Sequence, residues 1–393
     1  MSLRVLISGA GLAGPALAWW LGHHGFRPTV VELAAALRTG GSAVDYRGPV
    51  HLGLLDRMGV TGALRAAATS GTTMRFVDER GRRLMEMPPD FAGGDLEVRR
   101  GDLSRILTEA SGDRTEWIFG DTVTALTETA RGVRATFRSG AEREFDLVVG
   151  ADGVHSTVRR LTFGPEAAFV RHLGYYVAGW DLPARPGEAS PSRVTLHYNV
   201  PGRLAATGDD GAFVAFSAPQ PLAYDHRDVA AQQRLVRERF AGLGWEVPRM
   251  LAALGTAGDF YFDSICRVDV PTWHRSRIAL VGDAAWGATI GGMGNGTALV
   301  GAYVLAGELA AAGGDHAVAL PRYQRRMAAF ARRAQRGGDT TGRFLAPRTA
   351  RGIRLRNGLY NQPWVMRLTM AIADDRGARI DLPDYPTPTP AAA

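Results

Sequence analysis

The sequence predicts an α/β protein in which a Rossmann-like domain carries an inserted antiparallel β-sheet domain and is followed by C-terminal helices. Apolar runs that precede helical patterns near residues 4–33, 146–159 and 278–311 predict parallel strands with crossover helices. Between residues 166 and 267 apolar and polar residues alternate, which is typical of an antiparallel sheet. The Rossmann-like domain is therefore expected to be assembled from separated segments.

The first 33 residues form the most informative stretch. Arg4–Ser8 predicts a buried strand, Gly9–Gly14 a glycine-rich turn, Pro15–His24 a helix, and Thr29–Val31 a second strand that ends at Glu32. This order of strand, G-x-G-x-x-G turn, helix, strand and terminal acid is the context that a dinucleotide-binding fingerprint requires.

The residue type at each glycine of this fingerprint, and at Glu32, has a physical reason. Gly9 permits the tight turn, Gly11 leaves the backbone open to a pyrophosphate, and Gly14 lets the helix pack closely on the strand. The phosphates then lie at the positive end of the helix dipole. Glu32 can accept hydrogen bonds from ribose hydroxyls and would repel a 2′-phosphate, so the expected ligand is FAD or NAD rather than NADP.

Composition excludes several classes of protein. All 46 basic residues are arginine, and they are spread along the chain, so the formal charge of +7 indicates a coding bias rather than a nucleic-acid partner. No apolar run is long enough to span a membrane. The fingerprint starts at residue 9, which leaves no room for a signal peptide, and Cys266 is the only cysteine. We expect a cytoplasmic monomer or homodimer with no bound metal.

The remaining elements follow in chain order. We predict a glycine-rich loop over 38–47, a hairpin turn at Asp78–Gly81, a helix over 99–110 and helices over 297–311 and 320–336. The Pro-rich end from Pro383 to Ala393 is expected to be disordered. The predicted segments are the nucleotide-binding domain over 1–72, 99–165 and 268–340, strands of the substrate side over 73–98, the inserted sheet over 166–267, and a C-terminal segment over 341–393.

Three motifs occur in a specific order: Gly9 to Glu32, then Gly150-Ala151-Asp152-Gly153 with Ser156 and Arg159, then Gly282-Asp283 followed by Gly292-Met293-Gly294-Asn295-Gly296. With this triple motif, residues 3–340 resemble the single-component FAD-dependent aromatic hydroxylases, the p-hydroxybenzoate hydroxylase family. Within that family they resemble the branch that contains the tetracycline-inactivating monooxygenases. The resemblance implies noncovalent FAD in a p-hydroxybenzoate hydroxylase type of fold, with NADPH or NADH as co-substrate.

The fingerprint and the resemblance together assign cofactor contacts to Gly9, Gly11, Leu12, Ala13, Gly14, Glu32, Leu33, Arg38, Asp45, Arg100, Val123, Asp152, Asp283, Gly294, Asn295 and Gly296. By the resemblance, Asp283 binds the ribityl or pyrophosphate region, Arg100 the phosphates or ribityl chain, and the backbone of Val123 the adenine. Asp45 would contact the flavin and Arg38 would meet NADPH. Asp152 would lie where both nucleotides are served, and Gly294–Gly296 would present N–H groups to the N1–C2=O side of the flavin.

Candidate pocket residues are His197, Phe213 and Tyr224 in the inserted sheet and Met293 in the late loop. For the aromatic residues, an ordinary sheet core explains the pattern equally well. The loop Trp286–Gly292 lacks the proline that usually follows the third motif.

The expected function is that of an NAD(P)H-using monooxygenase. It inserts one oxygen atom from O2 into an aromatic or polyketide-like small molecule through a flavin C4a-hydroperoxide. One alternative is a Baeyer–Villiger oxygenation or rearrangement of a ketone or quinone by the same peroxide. A second, suggested by the proline-free loop, is a flavin-binding accessory protein that has lost turnover.

Overall fold

A computed structural model describes residues 2–37, 40–41, 43–69, 71–92, 94–183, 193–208, 211–290, 294–378 and 380–385. Its strands are β1 (Arg4–Ser8), β2 (Arg27–Glu32), β3 (Ala43–Tyr46), β4 (Thr73–Val77), β5 (Arg83–Met87), β6 (Leu96–Arg99), β7 (Glu116–Phe119), β8 (Val123–Glu128), β9 (Val133–Phe137), β10 (Glu142–Phe145), β11 (Leu147–Gly150), β12 (Val170–Trp180), β13 (Val194–Val200), β14 (Arg203–Gly208), β15 (Gly211–Ser217), β16 (Phe260–Val268), β17 (His274–Arg275) and β18 (Ile278–Leu280).

Its helices are α1 (Ala13–His23), α2 (Gly48–Arg57), α3 (Thr61–Ala66), α4 (Pro89–Ala92), α5 (Arg100–Ser111), α6 (Thr157–Thr162), α7 (Val229–Phe240), α8 (Val247–Ala253), α9 (Asp283–Trp286), α10 (Gly294–Ala311), α11 (His316–Leu345), α12 (Ala350–Tyr360) and α13 (Pro363–Ala378).

The predicted α/β fold class is confirmed. The first sheet has the strand order β17-β18-β11-β1-β2-β7, and all of its pairs are parallel except β17 with β18. Its strands come from chain segments separated by more than 100 residues, as the three apolar runs predicted. Because β1, β11 and β18 are parallel neighbours, their carboxyl ends lie at one edge of the sheet.

The second large sheet has the order β16-β12-β15-β14-β13-β4-β5 and is antiparallel except where β13 meets β4. Helices α7 and α8 cover one face, where their apolar residues pack with Tyr176, Phe216 and Phe262. The opposite face packs against Phe344 and Leu345 at the end of α11. The sheet is thus covered on one side by its own helices and faces the rest of the molecule on the other.

Three differences from the sequence expectations concern elements that depend on distant contacts. The hairpin at Asp78–Gly81 joins β4 to β5 in the large sheet, but β6 pairs instead with β3 in a separate two-stranded sheet. Helix α11 is longer than predicted at both ends, and α3 and α8 were not predicted, whereas the expected C-terminal helices are present as α12 and α13.

The chain end supplies the clearest correction. Disorder was expected from Pro383 onward, yet Tyr385 is 8% exposed and donates a hydrogen bond from its hydroxyl to Glu308 at 2.8 Å. Its ring occupies the space above Gly307, where a Cβ atom would come within 2.0 Å of the ring. Residues 386–393 lie outside the described part of the chain.

Candidate active site

The first and second motif turns are in direct contact. Gly9 has a φ of +106°, and a Cβ atom there would lie 2.6 Å from the carbonyl oxygen of Ala151 and 2.8 Å from the Cα of Asp152. The Ala151 N–H donates to the carbonyl of Ser8 at 2.8 Å. The glycine at position 9 is therefore required by its backbone conformation and by the close approach of the second turn.

The third turn joins the other two. Gly282 has a φ of +64°, and a Cβ atom there would lie 3.2 Å from the Cβ of Ala13 and 3.4 Å from that of Ala298. Just before it, the Val281 N–H donates to the carbonyl of Gly150 at 2.9 Å. The structure thus brings three turns, far apart in sequence, to one place at the carboxyl edge of the parallel sheet.

The space around the fingerprint glycines fits a dinucleotide. A Cβ atom on Gly14 would lie 1.9 Å from the carbonyl oxygen of Gly9, so helix α1 packs tightly on the turn. At Gly11 there is no atom within 4 Å of the Cβ position. This opening lies at the N-terminus of α1, next to Leu12 and Ala13, where N–H groups are available to phosphate oxygens.

Glu32 lies beside the start of β8. Its carboxylate accepts hydrogen bonds from the N–H groups of Ala10 at 2.7 Å and Ala34 at 2.9 Å, so it spans the glycine turn and the end of β2. The Asp121 N–H donates to the Glu32 carbonyl at 3.1 Å, two residues before the buried Val123. Glu32, the exposed Leu33 and the backbone near Val123 therefore lie at one end of the site.

The carboxylate of Asp152 holds the second turn in place. Its carboxylate accepts hydrogen bonds from the Ser156 hydroxyl and from the N–H groups of Thr157 at 2.9 Å and Val158 at 3.1 Å. Burial raises the pKa of Asp152, and these hydrogen bonds oppose the shift. The Ser8 hydroxyl also donates to this carboxylate at 3.3 Å, so Asp152 ties the second turn to the start of α6 and to β1. Its contact with a cofactor stays a prediction.

Arg100 and Asp283 form the polar part of the site. Within the described part of the chain, neither side chain has a hydrogen-bond partner. Burial raises the pKa of Asp283, and the nearby Arg100 charge opposes that shift. Asp283 lies against the start of α10, because a Cβ atom on Gly294 would be 3.2 Å from its Oδ1. A cation and a carboxylate without protein partners suit the phosphates and hydroxyls of a nucleotide.

Helix α10 approaches the site through a close glycine contact. A Cβ atom on Gly296 would lie 2.4 Å from the imidazole of the fully buried His51, so this position accepts glycine and brings the Gly294–Gly296 segment, with Asn295, down onto α2. Burial lowers the pKa of His51. Asp45, expected to contact the flavin, accepts a hydrogen bond from Arg47 at 2.7 Å. Arg38 and Met293 lie outside the described residues.

A row of side chains crosses the large sheet on the face opposite α7 and α8. Strand register aligns Phe76, His197, Ala206, Phe213, Gly179 and Tyr261 on β4, β13, β14, β15, β12 and β16. Paired residues of neighbouring strands share a face of the sheet. From Ala206 to Tyr261 the row therefore alternates between small and aromatic side chains. The two neighbours of Phe213 in this row, Ala206 and Gly179, are therefore small.

Tyr261 connects this row to the cofactor turns. Burial raises the pKa of its hydroxyl well above the usual value, Asp263 adds to the shift, and Arg100 opposes it. Tyr261 is therefore close to the polar part of the site. The Tyr261 hydroxyl lies 3.5 Å from Asp263, two residues along the same strand.

His197 is buried and neutral. Burial lowers its pKa to about 3, and the Arg356 charge contributes. Its Nε2 is 2.8 Å from the Thr195 hydroxyl, whereas its buried Nδ1 has no partner in the described residues. Its ring stacks on Phe76 at 4.9 Å between centroids. At the Phe76 end of the row, Nδ1 of His197 is therefore a buried nitrogen that makes no hydrogen bond to the described residues.

Tyr224 does not join His197 and Phe213. Its ring packs against Tyr176 and Phe262, in the cluster that α7 and α8 cover. Sequence reasoning missed Tyr261 and Asp263, although their spacing of two residues in an alternating run indicates one face of a strand. Which face that would be depends on register with β12, which the sequence does not reveal.

The three motif turns, the Arg100–Asp283 pair and the open backbone at Gly11 together fit an FAD molecule. They define a flavoprotein of the Rossmann type. Residues 2–167 match the family described as FAD binding domain. A protein of Mycobacterium tuberculosis described as uncharacterized is 40% identical over 84% of this chain and 91% of its own length. A flavin-dependent monooxygenase from an unknown prokaryotic organism is 34% identical over 97% of this chain and 99% of its own.

The crystal structure of the tetracycline destructase Tet(51) is similar over 98% of this chain and all of that chain, with 32% identity and a TM-score of 0.84. The chain therefore belongs to the FAD-dependent aromatic hydroxylase family of flavin-dependent monooxygenases, in a tetracycline-destructase-like branch. Among the described residues, no helix combines the length and apolar character needed to cross a membrane.

Proposed function

We propose that this flavin-dependent monooxygenase uses NAD(P)H and O2 to add one oxygen atom to an aromatic or polyketide-like small molecule. The observation that carries the proposal is the aromatic row of Phe76, His197, Phe213 and Tyr261, which reaches the polar part of the cofactor site at its Tyr261 end. Aromatic side chains separated by small residues favour a planar substrate.

Bound FAD would supply the redox chemistry, taking a hydride from NAD(P)H and activating O2 at its C4a position. The chain's own part is to bind and orient. The open backbone at Gly11 would receive the pyrophosphate, Glu32 the ribose hydroxyls, and the backbone near Val123 the adenine. Arg100 and Asp283 would hold the phosphate and ribityl groups, with N–H groups of Gly294–Gly296 toward the flavin ring.

The row would orient the substrate and exclude water from the reacting atoms. Phe213 stands between two small residues, Ala206 and Gly179, so a ring can lie on either side of it. The low pKa of His197 keeps its buried imidazole uncharged at neutral pH, so this end of the row presents no charge to the substrate. A charged imidazole would bring water with it.

Access of NAD(P)H would take place along the glycine loop at residues 40–41. A Cβ atom on Gly40 would lie 2.1 Å from Asp259 Oδ2, and one on Gly41 would lie 3.5 Å from the Cβ of Arg100. This loop therefore runs between β16 and the polar part of the site. We propose that the nicotinamide meets the flavin transiently beside this loop, with Arg38 as its contact.

The direct test is to purify the protein, record the oxidised-flavin spectrum, and follow NADPH and NADH oxidation with 18O2 present. The proposal predicts copurified flavin and a product that gains one 18O atom. A colourless protein that neither binds FAD nor oxidises either nicotinamide nucleotide would contradict it. NMR of the product separates hydroxylation from a Baeyer–Villiger outcome, because both add one oxygen.

The substrate wall is tested with Phe213→Ala, with Tyr224→Phe on the other face of the sheet as the control. Phe213→Ala should keep its FAD but consume several NAD(P)H per product, because the substrate is no longer held against the flavin. Tyr224→Phe should keep the wild-type ratio. Equal ratios for both variants would place the substrate elsewhere.

A further inference from the structure

A cluster of two histidines and one glutamate lies outside the residues used above. His155 follows the second motif turn, Glu166 begins the short turn before β12, and His226 belongs to the loop after β15. One ligand atom from each lies within 4.8 Å of the others. The two imidazole rings are 4.0 Å apart between centroids, and both histidines are exposed to solvent. An ion could therefore reach the cluster without any opening of the fold.

The two nitrogens of His155 face two different carboxylates. Its Nδ1 is 3.0 Å from Glu166 Oε1, and its Nε2 is 3.4 Å from Asp263 Oδ1. Asp263 is buried and is also held by the Ser264 N–H at 2.6 Å. A histidine that binds a metal through one nitrogen usually donates the other N–H to a carboxylate, which fixes the ring and its tautomer. Asp263 occupies that second position.

We propose that His155, Glu166 and His226 bind a divalent transition-metal ion of the zinc class, with Asp263 as the carboxylate that positions His155. Bonds of about 2.0–2.2 Å at a tetrahedral angle separate neighbouring ligand atoms by roughly 3.3–3.5 Å. The distance from His155 Nδ1 to Glu166 Oε1, 3.0 Å, is close to this value, and His226 has to move its ring nitrogen closer to complete the set.

The chemistry of the ligands selects the ion. Two imidazoles with one carboxylate suit Zn²⁺, Co²⁺ or Ni²⁺, whereas Mg²⁺ and Ca²⁺ prefer oxygen ligands. The Arg159 guanidinium lies 3.8 Å from Glu166 Oε2, so one glutamate oxygen is shared with a cation and the other remains for the metal. Without metal, the same groups form a hydrogen-bonded network centred on His155.

The location gives the ion a structural consequence. His155 is attached to the nucleotide-binding side, whereas Glu166, His226 and Asp263 belong to the segment of the inserted sheet. A bound ion would link the two sides next to Tyr261, whose hydroxyl is 3.5 Å from Asp263. We therefore expect metal binding to raise the Tm of the FAD-loaded protein.

The test is calorimetric titration of tag-free, chelator-treated, FAD-loaded protein with Zn²⁺, and with Mg²⁺ for comparison. The wild type should bind one equivalent of Zn²⁺ with a rise in Tm, and Mg²⁺ should have no effect. His226→Gln should abolish this binding. Asp263→Asn should weaken it by about 10- to 100-fold. His274→Gln, which changes a half-buried histidine on β17, should bind like wild type.

Co²⁺ provides a second, spectroscopic readout, and its result for the wild type does not depend on the stability of any variant. Its visible bands at wavelengths beyond those of the flavin should appear in wild type and be absent in His226→Gln. No binding by wild-type protein, or equal binding by wild type and His226→Gln, would overturn the proposal and leave a hydrogen-bonded network alone. These readouts need no turnover, so they stand or fall separately from the proposed oxygenation.

Discussion

The carbonyl oxygen of Ala151 lies 2.6 Å from the position that a Cβ atom on Gly9 would occupy. Residues 142 positions apart are thus packed so closely that no side chain fits between them. The contact closes one side of the proposed cofactor site, and the third turn, at Gly282, closes the adjacent side. Binding of FAD and the packing of the three chain segments should therefore be sensitive to the same glycines.

Gly9→Ala should lose copurified flavin and lower the Tm. The substitution combines a positive φ with a collision against the second turn. Gly25→Ala is the matched control, because Gly25 also has a positive φ of +82° but has no atom within 4 Å of its Cβ position. The control should cost about 1–2 kcal/mol and keep its FAD. Equal flavin content in both variants would refute the role of the contact.

Arg100→Met should weaken FAD binding by about 10- to 100-fold, the effect of losing one charge-assisted hydrogen bond to the ligand. Asp283→Asn should also weaken it, since the amide replaces an anionic acceptor. Arg105→Met, one turn further along α5, removes a surface ion pair with Glu109 and should have no effect. Fluorescence titration of the apoprotein with FAD measures all three. Wild-type affinity for Arg100→Met would remove this residue from the site.

His197 should make the protein less stable as the pH falls below 6.5. Its folded pKa is about 3, so between these values the unfolded chain takes up a proton that the folded chain does not. For each unit by which the pH is lowered in this range, His197 should reduce the free energy of unfolding by about 1.4 kcal/mol.

His197→Gln should have a shallower acid-side slope by that amount, measured by urea denaturation between pH 7 and pH 4.5. Above pH 7.5 the difference in stability between the two proteins should be constant, because the histidine is neutral in both folded and unfolded states there. Parallel slopes on the acid side would show that His197 is protonated in the folded protein.

Tyr385→Ala should destabilise the protein by roughly 3–5 kcal/mol, the usual cost of removing a buried aromatic side chain. The ring fills the space above Gly307, and its hydroxyl donates to the buried Glu308. Tyr385→Phe keeps the ring and should cost about 1–2 kcal/mol, for the lost hydrogen bond to a buried carboxylate. Urea denaturation curves compare the two. A wild-type midpoint for Tyr385→Ala would mean that the chain end contributes nothing to the fold.

The cofactor turns were predictable because their causes are local. Gly9, Gly11 and Gly14 are fixed by turn geometry and close packing within one strand-turn-helix unit, so their spacing within that predicted unit identifies them. The hydrogen bonds of Asp152 were less predictable, since they join its own turn and α6 to Ser8 at the end of β1.

The substrate face depends on strand register, which is a nonlocal property. Phe213 and Tyr224 are both aromatic residues near β15, yet only Phe213 lies in the row with His197. Tyr261 enters that row through β12, more than 80 residues earlier in the chain. The burial of Tyr385 likewise depends on a gap above Gly307 that no pattern near the Pro-rich end indicates.

Gly11 offers the most direct test of the cofactor site. Its Cβ position is free of protein atoms and its φ is ordinary, so Gly11→Ala should leave the Tm of the apoprotein within a few degrees of wild type, as should the control Gly62→Ala in α3. FAD titration of the three apoproteins should show at least about a tenfold loss of affinity for Gly11→Ala alone, because its methyl group occupies the pyrophosphate position. Wild-type FAD affinity in a folded Gly11→Ala protein would contradict the proposed site.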